Sequence, residues 1–312
     1  MNDSKRFAAL LPDLAVIEVS GADAADFLHG QLTHDVSGLA PDQARLAGYC
    51  TAKGRLLASM VVWRRASAEA PAILMLVKAD IAESLIKRLS MFVLRAKAKL
   101  RLTDCGVAGM TQADAPSGMP GPASPWTVAH DEAGTWIAAP SADPDMRRWW
   151  RVTHESAKDS CGLDGDSASW RAGDIAAGLP WIQSATQDLF IPQTLNLDLI
   201  DGVSFTKGCY PGQEVVARSH YRGTVKRRMA GGLIASGRDL NAETLAATDT
   251  FDALRPDNPC GRIVNAAADP AGIRVLMEVQ LADLGSADFR LGQADGPAID
   301  LAALPYEIES GA

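Results

Sequence analysis

A chain of 312 residues is long enough for about two domains and can bury roughly three-quarters of the surface that its unfolded form exposes. With 47% hydrophobic and 22% charged residues it has an ordinary globular composition, and no apolar run approaches the roughly 18 residues of a membrane span. A formal net charge of −8 speaks against chain-wide nucleic-acid binding, Met-Asn-Asp-Ser-Lys-Arg does not read as a signal peptide, and five widely spaced cysteines without C-x-x-C indicate neither a disulfide framework nor a zinc site, so a cytoplasmic protein without a resident metal is expected.

In chain order, 16–19 reads as a strand and 23–29 as a short helix that buries Ala24, Phe27 and Leu28, with Leu32 just beyond. Residues 46–51 and 55–63 read as a hairpin about Lys53-Gly54, and 73–77 as another strand. Asp80 is expected to cap a helix whose Ile81, Leu85, Leu89 and Phe92 share one face, with Glu83 at the capping-box position. In the run from Arg95 through Lys97 and Lys99 to Arg101, period two sets four cations on one strand face, which is either simply solvated or able to meet phosphate. Four prolines make 113–125 a loop. Residues 166–177 read as a helix ended by Gly178 and Pro180, with an apolar stripe of Ala168, Ala172, Ile175, Ala176 and Leu179. Trp170 falls about 200° around from Ala168, off that stripe and beside Gly173 and Ala177. There it could stack a flat ring or pack against a neighbouring domain. Beyond 226, short strands at 228–234, 261–266, 273–279 and 305–308, punctuated by turns, suggest a small β-barrel.

The segment Lys207-Gly208-Cys209-Tyr210-Pro211-Gly212-Gln213-Glu214 carries the most chemistry. Pro211 and Gly212 form a turn, and 213–218 has no helix breaker. A thiol just ahead of a helix start and two residues from an ammonium is favoured as thiolate, the reactive form of cysteine. The alternative is an inert cysteine buried in a tight turn. Glu214 either complements its helix start or pairs with Arg218. Asp198 and Asp201 read as turn-capping residues or as a carboxylate pair near the loop. From 218 to 228 come Arg218, Arg222, Lys226, Arg227 and Arg228 with no acid, an anion-binding run suited to a glutamate tail or an RNA phosphate. One motif cysteine cannot hold an iron–sulfur cluster alone. His29 and His34, five residues apart, are split around a helix and form no metal pair.

The Lys-Gly-Cys-Tyr-x-Gly-Gln-Glu octamer with its downstream Arg218 resembles the signature of the YgfZ family. The stretches Phe27-Leu28-His29-Gly30-Gln31-Leu32-Thr33-His34-Asp35-Val36, Ala52-Lys53-Gly54-Arg55 and Phe190-Ile191-Pro192-Gln193 through Asp201-Gly202-Val203-Ser204-Phe205 resemble the same family in the same order. The resemblance implies an α+β, aminomethyltransferase-like folate-binding fold with a C-terminal β-barrel. The body would occupy 1–225, open to division into two interleaved subdomains, and the barrel 226–312. It implies tetrahydrofolate as cofactor, with Trp170 at one of the family's folate-binding tryptophan positions and Leu14 at the other, a departure from the pattern. It further implies a factor that supports iron–sulfur clusters in client enzymes, including enzymes that thiolate tRNA. Cys209 would be the reactive group and Lys207 its stabilising cation. Gly208, Tyr210, Gly212, Gln213, Glu214 and Arg218 would shape and position the loop. A monomer is expected, with no membrane partner. Two rival functions are a folate-dependent one-carbon transferase, which would not need the thiol, and a tRNA-binding module built on the two basic runs.

Overall fold

The computed structural model describes residues 7–65, 71–112, 124–153, 165–221, 225–235 and 240–308. Strands β1 (Phe7–Leu10) and β2 (Leu14–Ser20) precede helix α1 (Ala24–His29). Next, β3 (Ala44–Cys50), β4 (Leu56–Arg64) and β5 (Ala72–Lys78) lead straight into α2 (Ala79–Ser90). After β6 (Lys99–Leu102) come β7 (Gly106–Gln112), β8 (Val128–Asp131), β9 (Gly134–Ala139) and β10 (Arg147–Thr153), then α3 (Ser167–Ala176) and α4 (Gln213–Tyr221). The chain continues through β11 (Arg227–Ala235), β12 (Asp249–Asp252), β13 (Arg255–Asp269), β14 (Gly272–Gln280), β15 (Phe289–Leu291) and β16 (Asp300–Ala302).

These strands make three antiparallel sheets, ordered β3-β4-β5-β2-β6, β1-β7-β10-β9-β8 and β15-β12-β13-β14-β11-β16. The first is covered on both faces, and period two sorts its side chains between two cores. Val16, Val61, Trp63, Leu74 and Leu76 join the cluster shared with the second sheet and α3. Ile17, Val19, Met60, Val62, Ile73, Met75 and Val77 join the cluster under α1 and α2. Burial on both faces explains why β4 and β5 read as nearly unbroken apolar runs. The third sheet curls into a barrel. Ile299 N–H donates to Phe289 O and Leu291 N–H to Pro297 O, both at 2.9 Å, and the same stretch then pairs with β11 through β16.

Several expectations are corrected. Asp80 is not a cap. Because β5 runs into α2 without a break, Lys78 holds the N-cap position, and Asp80 accepts a 2.8 Å bond from Ser184 N–H. Phe92, expected on the buried face of α2, lies beyond the helix end and is exposed. Only Lys99–Leu102 of the cationic stretch is strand, since the backbone of Lys97 is tied to Asp23 in a turn. The cations face solvent, with Arg101 paired to the buried Glu18. The last strand is Asp300–Ala302, not 305–308, where Tyr306 instead sends its hydroxyl to Gly178 O. Of the loop expected at 113–125, all but 124–125 lies outside the described residues.

Candidate functional site

Cys209 is exposed, on a loop held from three sides. From the first side, the turn after α1 grips the approach to the loop: Thr33 Oγ1 donates to Gly202 O at 2.7 Å and accepts Gly48 N–H at 2.7 Å, while Ser204 N–H donates to Thr33 O. From the second, the hairpin tip between β3 and β4 meets the loop glycine to glycine. Gly212 adopts φ +82°, and a Cβ built there would lie 2.6 Å from Gly54 Cα and 2.7 Å from Gly54 N, and closer still to Thr51 O. Gly54, at φ +73°, faces Val215 of α4 in turn. Both positions need the left-handed backbone that glycine adopts without penalty, and both need the missing side chain for the approach.

Lys207 supplies the third hold. Its Nζ donates to His29 O and to Leu32 O (2.9 Å), carbonyls at the end of α1, and sits 4.8 Å over the Tyr210 ring. A cation at a helix C-terminus meets carbonyls that lack intrahelical partners. Burial pushes Lys207 down to about 8, while the charges of Asp35 and Cys209 act in the opposite sense. The ammonium thus anchors the loop while remaining electrostatically coupled to the thiol. Tyr210 packs its buried ring beneath the loop, and burial pushes its hydroxyl up.

Sequence reasoning missed part of this arrangement. His29 Nδ1 stands 2.9 Å from Asp35 Oδ1, and a Cβ on Gly208 would be 3.6 Å from His29 Nε2. The Gly38 N–H, then His29 and Arg45, hold Asp35 below the usual carboxylate range against its partial burial. The available signal was the dense polar run of 29–35 directly after a buried helix end. On the other side of the loop Phe205 stacks on His220 at 3.7 Å, with Tyr221 edge-on.

Of the other predicted site residues, Glu214 and Arg218 form the pair that is one of the two alternatives read from the sequence, while the basic run is placed differently. Glu214 and Arg218 pair with each other at 2.7 Å on the exposed face of α4, and among the described residues none hydrogen-bonds the Cys209 thiol. Arg228 is no free anion ligand. It is buried, bonded to both carboxylate oxygens of Asp198 at 2.6 and 3.1 Å and to Gln193 O. Asp198 is therefore an ion-pair partner rather than a turn cap, and Asp201 lies 3.3 Å from His34 Nε2. Arg227 pairs with Glu278 at 2.6 Å, Lys226 is exposed, and Arg222 lies outside the described residues.

Trp170 is 2% exposed and belongs to the main core. Of the two alternatives, packing is the one that dominates, since α3 is covered on both sides, although Trp170 also lines a cavity of about 240 Å³ with Met146, Arg148 and Gly173. The barrel strand β13 packs against the helix, and Trp170 inserts between Trp150 of β10 and the bare Gly109 of β7, with the Arg148 guanidinium 4.0 Å from its ring centroid. Leu14 is buried in the same core. Their sequence neighbours face outward. Asp13 and Arg171, with Lys78, Gln183 and Glu243, line a cleft of about 330 Å³. Asp13 bonds Lys78 Nζ through Oδ2 at 2.5 Å, while its buried Oδ1 has no hydrogen-bond partner and lies 3.9 Å from Arg171.

No family model matches the chain. In sequence it is 35% identical over 234 residues to the tRNA-modifying protein YgfZ of Sodalis glossinidius, covering 70% of this chain and 69% of that one. It is 34% identical over 236 residues to the protein of that name from Edwardsiella ictaluri, covering 70% and 68%. The Escherichia coli K12 protein of that name is 32% identical over 251 residues, covering 74% of each chain. In structure the chain is similar to the glycine cleavage system aminomethyltransferase T of Bartonella henselae, with a TM-score of 0.69 at 15% identity, covering 97% of this chain and 86% of that one, so the two share a fold. Among the described residues no helix is long and apolar enough to cross a membrane. With more than 30% identity to relatives of which it covers more than two thirds, the chain belongs to the YgfZ family.

Proposed function

We propose that this protein is a folate-binding accessory factor that uses the Cys209 thiol to support the assembly or repair of iron–sulfur clusters in client enzymes, tRNA-thiolating enzymes among them. The observation that carries this reading is the contrast between Cys209 and the core cysteines. Cys209 is exposed on a loop clamped by the Gly54–Gly212 contact and the Lys207 anchor. Cys50 and Cys260 are buried, with burial pushing Cys50 up to about 12 and Cys260 upward as well. A fixed, accessible thiol beside an ammonium can act as a soft ligand or nucleophile toward a docked partner. The one thiol leaves the remaining cluster ligands to the client.

Tetrahydrofolate fits the cleft beside Asp13 better than it fits Trp170. The Asp13 carboxylate, whose Oδ1 has no hydrogen-bond partner and which Lys78 and Arg171 flank, suits the amino group of a pterin. Trp170, packed against Gly109 and Arg148, is not part of that cleft and lines a separate cavity of about 240 Å³. Bound there, the folate would supply a carrier for one-carbon units.

The test is the activity of a tRNA-methylthiolating iron–sulfur enzyme in a strain deleted for this protein. Rescue by wild type but not by Cys209→Ala is expected. Equal rescue by both would reduce Cys209 to a structural residue, and no rescue by either would return the one-carbon transferase reading to the front.

A further inference from the structure

Where α2 ends, the surface breaks the usual pattern of a soluble protein. Met91, Phe92 and Leu94 are 61%, 45% and 89% exposed, three large apolar side chains within four residues. Leu94 adopts φ +44°, a left-handed backbone that a bulky side chain rarely takes up. Such outliers persist where the surroundings over-determine them, and they cluster at functional sites. The turn cannot relax by folding its apolar residues inward. Lys97 N–H bonds Asp23 Oδ2 at 2.6 Å, Asp23 N–H bonds Lys97 O, and Ala96 N–H closes on Val93 O.

The charge around this knuckle is one-sided. Residues 84–103 contain six cations and no acid, in a chain of net charge −8. Arg95, Lys97 and Lys99 of that set are exposed beside the apolar residues. Behind the knuckle, Met91, Leu57, Leu85 and Gln187 line a groove of about 250 Å³.

We infer that the Met91–Phe92–Leu94 knuckle with its basic rim is the docking surface for the client protein, which presents an apolar pocket ringed by acidic residues. The inference rests on the proposed function for the identity of the partner. Charge complementarity selects an acidic occupant. The projecting aliphatic Leu94 and Met91 favour an apolar pocket in a protein over RNA, which takes aromatic and arginine contacts. Apolar anchors at the centre of an interface carry most of its affinity, while rim charges set association rate and salt dependence.

The test measures binding between the purified tRNA-methylthiolating enzyme and the wild type, Met91→Asp/Leu94→Asp, Leu94→Gly and Lys97→Glu/Lys99→Glu. Melting curves and the alkylation rate of Cys209 report whether each variant keeps its fold. Leu94→Gly suits the left-handed backbone, so it removes the apolar anchor without threatening the turn. The apolar variants are expected to lose roughly 10-fold or more in affinity. The charge variant should bind more slowly with a flattened salt dependence. Undiminished binding by the apolar variants, or no binding by the wild type at low salt, would overturn the docking surface. So would bare tRNA binding that the same substitutions abolish, since the occupant would then be RNA. Rescue in the deletion strain is scored separately: wild-type rescue with unaltered rescue by the apolar variants defeats the docking surface alone, whereas failure of wild-type rescue defeats the functional reading.

Discussion

The three glycines around Cys209 should respond very differently to a single added methyl group. At Gly212 an alanine must hold φ +82°, which costs about 1–2 kcal/mol, and its Cβ meets backbone atoms of Gly54 and Thr51 that cannot rotate aside. Adding a typical overpacking cost of about 1–3 kcal/mol gives a loss of roughly 2–5 kcal/mol, or a fall in Tm of roughly 3–8 °C. Gly54→Ala shares the backbone strain at φ +73°. Its nearest neighbours are Val215 Cβ and Cγ1, at 2.9 and 3.1 Å, less close than the backbone contacts at Gly212, so about 1–3 kcal/mol is expected. At Gly208 the nearest atom to a new Cβ is His29 Nε2 at 3.6 Å, an ordinary contact, and the change should stay within about 0.5 kcal/mol. Thermal melts rank the stabilities, and the rate of Cys209 alkylation by iodoacetamide reports whether the loop keeps its place. Val215→Ala should ease Gly54→Ala only through the lost Cγ1 contact, since Val215 Cβ stays at 2.9 Å, and should leave Gly212→Ala unchanged. If Gly212→Ala melts within about 1 °C of wild type, or Gly208→Ala is the more damaging of the two, the clamp reasoning is wrong.

Lys207, held at about 8 in the fold against an ordinary 10.5, gives a pH signature. Between those values the unfolded chain keeps a proton that the folded chain has released, so this group makes stability rise with pH through that window. Urea melts across it should show a shallower rise for Lys207→Met than for wild type, and identical slopes would refute the burial of the ammonium. Arg228→Ala strands Asp198 as an unpaired buried charge and should cost about 3–5 kcal/mol, whereas Lys226→Ala should change stability by under about 0.5 kcal/mol. Equal small effects in denaturant melts would mean that Arg228 is free to serve an anion. Trp170→Phe should leave tetrahydrofolate affinity near wild type in a fluorescence or calorimetric titration, while Asp13→Asn or Arg171→Ala should weaken it; the reverse order would restore stacking on Trp170.

Much of the fold is readable along the chain because its signals are local. The apolar runs of β2 to β5, the Lys53-Gly54 turn and the stop at Gly178 each involve only a few neighbouring residues, and each appears close to its expected place. The barrel follows from short strands with turns between them, although its final strand lies at Asp300–Ala302, where pairing with β11 outweighs the stronger strand propensity of 305–308. Asp80 fails as a cap because capping chemistry presumes a break before the helix, and β5 supplies none.

The site divides along the same line. The cysteine octamer is contiguous, so its turn and helix are legible, but what the motif side chains touch is decided more than a hundred residues away. Lys207 reaches carbonyls at His29 and Leu32, and Gly212 meets Gly54, contacts that no spacing rule within the octamer encodes. Trp170 carries the same lesson in reverse. A helical wheel identifies the face opposite an apolar stripe, but not whether a second layer covers it, and here the second sheet presents Gly109 and Trp150 where solvent or a ligand was expected. A bare glycine on a strand facing a large indole on a helix is the complementary pair that such a buried face requires. The outward neighbours Asp13 and Arg171, rather than Leu14 and Trp170 themselves, line the cleft. A leucine at position 14 then alters the packing behind that cleft while leaving its polar lining in place.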